Sequence, residues 1–199
     1  MQNIKDAIIQ VGIVLIVSFI VYLIKNRKAK GFGKWMGLFI PKIDDLKTKI
    51  LKLILILIIF SMIPIVIVIN INIANDTNLA YQSIEGGKFL FIGLIFKSLI
   101  QTALSEELLF RGLIGKRLVN ILGYKKGNIV QSIIFGLVHC FAIITFGYKI
   151  GVIMIVIIAF TAYFYGYLMY KVAKGSILLC WLAHGISNLL SFAIFYLIQ

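Results

Sequence analysis

Apolar residues run along this chain in stretches of about twenty, the length that a helix needs to cross a bilayer, and short polar clusters separate them. Six such runs are legible, at about 4 to 24, 51 to 73, 89 to 115, 128 to 147, 150 to 170 and 175 to 198. They predict an all-α fold, a polytopic integral membrane helix bundle of about six transmembrane helices, with residues 1–199 as a single membrane domain. The first run lacks a small-x-small cleavage site and leads straight into Lys25, Arg27, Lys28 and Lys30, the mark of a stop-transfer anchor rather than a cleaved signal. After it, Phe32, Trp35, Met36, Phe39 and Ile40 stand beside Lys34 and before Pro41. This part of a 31–49 cytoplasmic loop is expected to form a short helix in the membrane interface.

Composition strengthens the membrane reading. The apolar set makes up 61% of the chain and charged residues 14%, against about half and about a quarter in soluble domains. A water-soluble globular protein is excluded. Of the 20 Lys and Arg, sixteen lie in three alternate loops: nine after the first run, five between Arg111 and Lys126, and the pair Lys171 and Lys174. Basic loops stay cytoplasmic, so both termini are expected outside a cell membrane crossed several times. The net charge of +13 therefore reports topology and lipid contact, and nucleic acid is not an expected partner. Cys140 and Cys180 both fall inside apolar runs and read as lone thiols, with no framework of paired cysteines.

Ionisable groups inside a span are costly and are functional candidates by default. Glu106, Glu107, Arg111, His139 and His184 stand out. Glu107 and Arg111 are four apart, within ion-pairing reach on one helix face, while Glu106 points about 100° away. One acid is thus neutralised and the other left available. Counted from the cytoplasmic boundary, Glu106, His139 and His184 each lie about 15 Å deep at 1.5 Å per residue, so three helices are expected to bring an acid and two bases to one level. Phe135 shares a face with His139, and Asn188 with His184, by the same four-residue spacing. Cys180 also shares the His184 face, but no motif supports it as a nucleophile. Tyr163, Tyr165, Tyr167 and Tyr170 read as an interfacial belt.

Three motifs follow in order. Ser-Glu-Glu-Leu-Leu-Phe-Arg-Gly at 105 to 112 contains Glu-Glu-x-x-x-Arg; Phe135 to His139 is Phe-x-x-x-His; His184 to Asn188 is His-x-x-x-Asn. Together they resemble the CAAX protease and bacteriocin-processing family of intramembrane proteases, also called the Abi family. The resemblance implies an endopeptidase whose catalytic four-helix core spans 89–198 and whose cavity opens to the cytoplasm. It implies Glu106 as the base that activates water with help from His139, and His184 and Asn188 as the groups that polarise the carbonyl and hold its oxyanion. Glu107 and Arg111 would orient the site, and Phe135 would pack beneath His139. A peptide or membrane-associated protein is the implied substrate.

Two cofactor readings stay open. Glu106, His139 and His184 are a set that binds Zn²⁺ in helical zinc proteases; the absence of His-Glu-x-x-His spacing and the presence of Asn188 favour a glutamate mechanism without metal. Two further functions use the same polar residues. One is a non-catalytic immunity or scaffold protein; the other is a proton or metal transporter, for which repeat symmetry and broken helices are missing. The family has a branch acting on prenylated tails and one acting on bacteriocin peptides or self-immunity. Richness in Ile and Lys, as in AT-rich prokaryotic genes, favours the second.

Overall fold

The computed structural model describes residues 2–42, 47–75 and 90–198. Every regular element among them is helical. α1 is Gln2–Asn26, α2 is the five-residue Phe32–Met36, and α3 is Lys47–Asn75 with Pro64 inside it. α4 covers 90–115 and is unusual. It begins as an α-helix at Leu90–Ile95 and then widens into π-helical Phe96–Leu104 and Glu107–Gly115. Wide turns of this kind are rare and cluster at functional sites. α5 is Lys116–Leu137, broken at Gly123 by φ 76 and ψ 166. Then come α6, Phe141–Phe146; α7, Tyr148–Tyr167, prolonged by a π-turn at Leu168–Val172; and α8, Leu178–Ile198.

By length and hydropathy, Ile4–Asn26 and Tyr148–Val172 are long and apolar enough to cross a membrane, and Ile50–Pro64 and Leu178–Ile194 are shorter apolar stretches. The outer face of α1 exposes Ile9, Ile13, Ile16, Ile20 and Ile24, while it buries Ala7, Ser18 and Tyr22. Small and polar residues inward with aliphatic residues outward is the arrangement expected where lipid, not water, surrounds the bundle. The predicted span at 128 to 147 is not one helix. It is the end of α5, a turn at 138–140 and the short α6, so His139 stands in a turn and not on a spanning helix. Nothing in that apolar run marks the turn, because it contains no proline and its one interior glycine, Gly136, lies within α5.

α5 crosses α7 closely at Gly136, where a Cβ would meet Ala159 Cβ at 2.7 Å and Ile155 O at 2.9 Å. Beside that crossing Asn128 Nδ2 donates to Tyr163 O, and Gln131 Nε2 donates to Ser132 Oγ at 2.9 Å. The bundle therefore carries a buried polar brace next to the candidate site.

One end of the bundle gathers the basic residues. Here α2 forms within the expected segment, but Met36 is fully buried and α2 is tied to the protein. Gly37 O accepts from Ile177 N at 3.0 Å, Arg117 Nη2 donates to Trp35 O at 3.0 Å, and Lys116 Nζ donates to Lys34 O at 2.9 Å. Gly37, at φ 88, has its Cβ position 2.7 Å from Gly175 O, a contact that only glycine permits. The strap 31–40 thus closes the basic end. Burial, and then the charges of Arg117 and Lys34, hold the Lys116 ammonium down at about 8. Between that value and the ordinary lysine range the unfolded chain binds more protons than the folded one, so stability rises with pH across this window and is flat below it. The melting temperature in detergent is expected to climb from pH 8 to pH 10, and to climb less in Lys116→Met.

Candidate active site

The candidate residues converge on one cavity of about 490 Å³. Glu106, His139, His184 and Asn188 line it together, with Phe135 and Tyr165 among its walls. They arrive from α4, the turn after α5, and α8, with Tyr165 from α7.

Beneath the cavity lies an ion pair. Arg111 Nη1 is 3.2 Å from Glu107 Oε1, at side-chain exposures of 1% and 0%. The guanidinium sits 4.3 Å above the Phe135 ring and 5.5 Å from that of Tyr165. Its nitrogens make no aligned hydrogen bond, so charge and ring faces hold it in place. Phe135 in turn meets Phe110 edge-on at 4.8 Å and His139 at 5.1 Å. Its role as a support beneath His139 extends to Arg111.

Glu107 has a second partner that spacing did not reveal. Its Oε1 accepts from His184 Nδ1 at 2.9 Å. A carboxylate only accepts, so Nδ1 carries the proton and Nε2 turns to the cavity. There it stands 3.8 Å from Glu106 Oε2. Tyr165 stacks on the His184 ring at 5.6 Å and 28°, and its hydroxyl meets Ser61 Oγ at 2.8 Å. Since Ser61 donates to Leu57 O, the phenol is the donor between them.

Tyr165 is therefore not part of an interfacial belt: it is 3% exposed and builds the floor of the site. Tyr170 packs edge-on against Tyr124, and Tyr167 alone of the four is exposed. Cys180 is fully buried and donates to Tyr165 O, away from the cavity lining.

His139 is fixed by the same logic. Its Nδ1 lies 2.8 Å from Phe135 O, and a carbonyl can only accept, so Nδ1–H is the donor and Nε2 is left as a lone-pair base. Asn188 Nδ2 is a buried donor with no partner. Such an orphan costs free energy unless a ligand or water completes it.

Three further residues serve the site without a motif. Ser105, beside Glu106, accepts from Gln10 Nε2 at 3.0 Å, which ties α1 to the catalytic turn. Trp181 Nε1 donates to Leu99 O at 2.7 Å and joins α8 to the widened part of α4. Lys97, which could snorkel or face the bundle, lines the cavity and stands 5.5 Å over the Phe192 ring. The one legible signal for Gln10 was a polar side chain within an apolar run.

A zinc site needs its ligands within about 2 Å of one point. Glu106, His139 and His184 share the cavity, yet among the described residues no three His, Cys, Asp or Glu side chains gather closely enough to hold a metal. The donor set as arranged does not fit the ion, and the chemistry is derived from the protein's own groups.

Comparison with known proteins agrees with this geometry. The profile of the family described as type II CAAX prenyl endopeptidase Rce1-like matches residues 88–190, which include every site residue named above except Gln10 and Ser61. No curated protein and no solved structure matches the chain. With just over half its length matched, the chain belongs to the Rce1-like family of type II CAAX prenyl endopeptidases, membrane-embedded proteases that act on peptide or protein substrates.

Proposed function

We propose that the protein is a glutamate-dependent intramembrane endopeptidase. The carrying observation is that an acid, two imidazoles with assigned tautomers and an unpaired amide donor face one cavity. Glu106 takes a proton from a water molecule whose oxygen attacks the scissile carbonyl carbon, with His139 Nε2 as the second acceptor for that water. The tetrahedral oxyanion accepts from Asn188 Nδ2 and from His184 Nε2–H, the imidazolium being held on Glu107. As the C–N bond breaks, the proton returns from Glu106 to the leaving amine, so the residues end as they began. Glu107 and Arg111 position His184, and Phe135 positions His139 and Arg111.

Processing of a bacteriocin-type or other small peptide, or self-immunity against one, is the biological role we assign, in a multi-pass protein of the cell membrane. The orphan Asn188 donor favours catalysis over a purely scaffolding role, since a pocket that only binds has no need of a donor aimed at developing charge. The test is cleavage by purified protein in detergent, with wild type compared with His139→Ala and with wild type after chelation. His139→Ala should lose about 10²-fold or more of its turnover, and chelation should change nothing. Full cleavage by His139→Ala would sink the mechanism, and loss on chelation restored by Zn²⁺ would replace it with a metal one.

A further inference from the structure

The cavity and the basic residues lie toward opposite ends of the bundle. Resting on the protease reading above, we propose that the enzyme takes its substrate from the extracytoplasmic side, so that its substrates are translocated peptides or outward-facing segments of membrane proteins.

On the basic side the site is sealed. Below Tyr165 and the Glu107–Arg111 pair lie Leu108, Leu168, Met169 and Met36, all fully buried, and the strap 31–40 covers them. The expectation of a cavity open toward the basic loops finds no passage there among the described residues.

On the other side the walls continue. α8 leads from His184 through Asn188 to Phe192, α4 leads from Glu106 through Thr102 to Lys97, and α7 leads from Tyr165 back to Met154, all lining the cavity. These are eight, nine and eleven residues, roughly 12 to 16 Å of wall at 1.5 Å per residue. An extended peptide advances about 3.3 Å per residue, so about four residues fill that length. The rim is in α6, where Phe141 is 58% exposed and Thr145 is exposed.

Only Lys88 and Lys149 lie in the connections at this end, against sixteen cations at the other. The positive-inside rule therefore puts the rim outside and the strap in the cytoplasm. Lys97 adds a cation to the wall of the entrance, suited to acidic groups on the incoming peptide.

Thiol accessibility tests this in the full-length protein. Cys140, the exposed native thiol, is replaced by Ser, and the fully buried Cys180 is kept. Thr145→Cys then marks the rim and Lys126→Cys the basic end. In right-side-out membrane vesicles a membrane-impermeant maleimide should label Thr145→Cys, and should reach Lys126→Cys only after permeabilisation. Purified Thr145→Cys should also lose cleavage once it carries a bulky maleimide, relative to the same variant unlabelled. The reverse labelling pattern, or cleavage undiminished by the rim adduct, would overturn the proposal. Loss of the protease reading is a separate outcome: cleavage that persists without the Glu106 carboxylate, whatever the labelling.

Discussion

Glu106→Gln is expected to lower the turnover of peptide cleavage by about 10² to 10⁴, the range for loss of a positioned general base. The amide has the shape of the carboxylate but cannot take a proton from water. Because the carboxylate acts on water and not on the peptide, kcat should fall while KM stays near its wild-type value. Single-turnover cleavage in detergent measures the chemical step directly. A variant that cleaves at the wild-type rate would remove Glu106 from the mechanism. Glu107→Gln gives a useful contrast, since it leaves the base in place and loosens the hold on His184 Nδ1.

The largest loss of stability is expected at Arg111. Glu107 is fully buried and Arg111 is its cation at 3.2 Å. Arg111→Met leaves a carboxylate in the interior without a counter-charge, which costs about 3 to 5 kcal/mol in buried pairs broken on one side. It also empties the space over the Phe135 and Tyr165 rings. The thermal midpoint in detergent should drop steeply. The double variant Glu107→Gln with Arg111→Met should regain part of that loss, because replacing both partners removes the isolated charge. Arg111→Lys should not restore the wild-type midpoint, since a point charge cannot lie flat on two ring faces. A single variant as stable as wild type would show that the pair is not what holds the floor of the site together.

Much of the site could be read from spacing alone. Glu107 and Arg111, Phe135 and His139, and His184 and Asn188 are local pairs, and helical geometry over four residues brought each of them together or onto one face. What spacing could not show was contact between distant elements. The bond from His184 to Glu107 joins residues 77 apart in sequence, and it changes Glu107 from a neutralised acid into the group that fixes an imidazole tautomer. Tyr165 looked like its neighbours Tyr163 and Tyr167 because side-chain type does not reveal which tyrosine a helix turns inward. The widened turns of α4 were equally hidden, as they depend on partners such as Gln10 and Trp181 reaching it from other helices. The apolar runs located the helical segments well, but uniform hydrophobicity carries no punctuation, and so the turn that holds His139 was read as part of a continuous helix.

The clasp between Gly37 and Ile177 has a consequence for how the protein is made. Its two halves are separated by most of the chain, and a contact of such long range can close only after the intervening helices have left the ribosome and settled. Until residue 177 has been synthesised, Met36 has no complete bed and the cytoplasmic floor of the cavity stays open. A protease that cannot finish its own active site before its last helix arrives is silent throughout its synthesis, which protects the nascent chain and its neighbours in the insertion machinery from premature cutting.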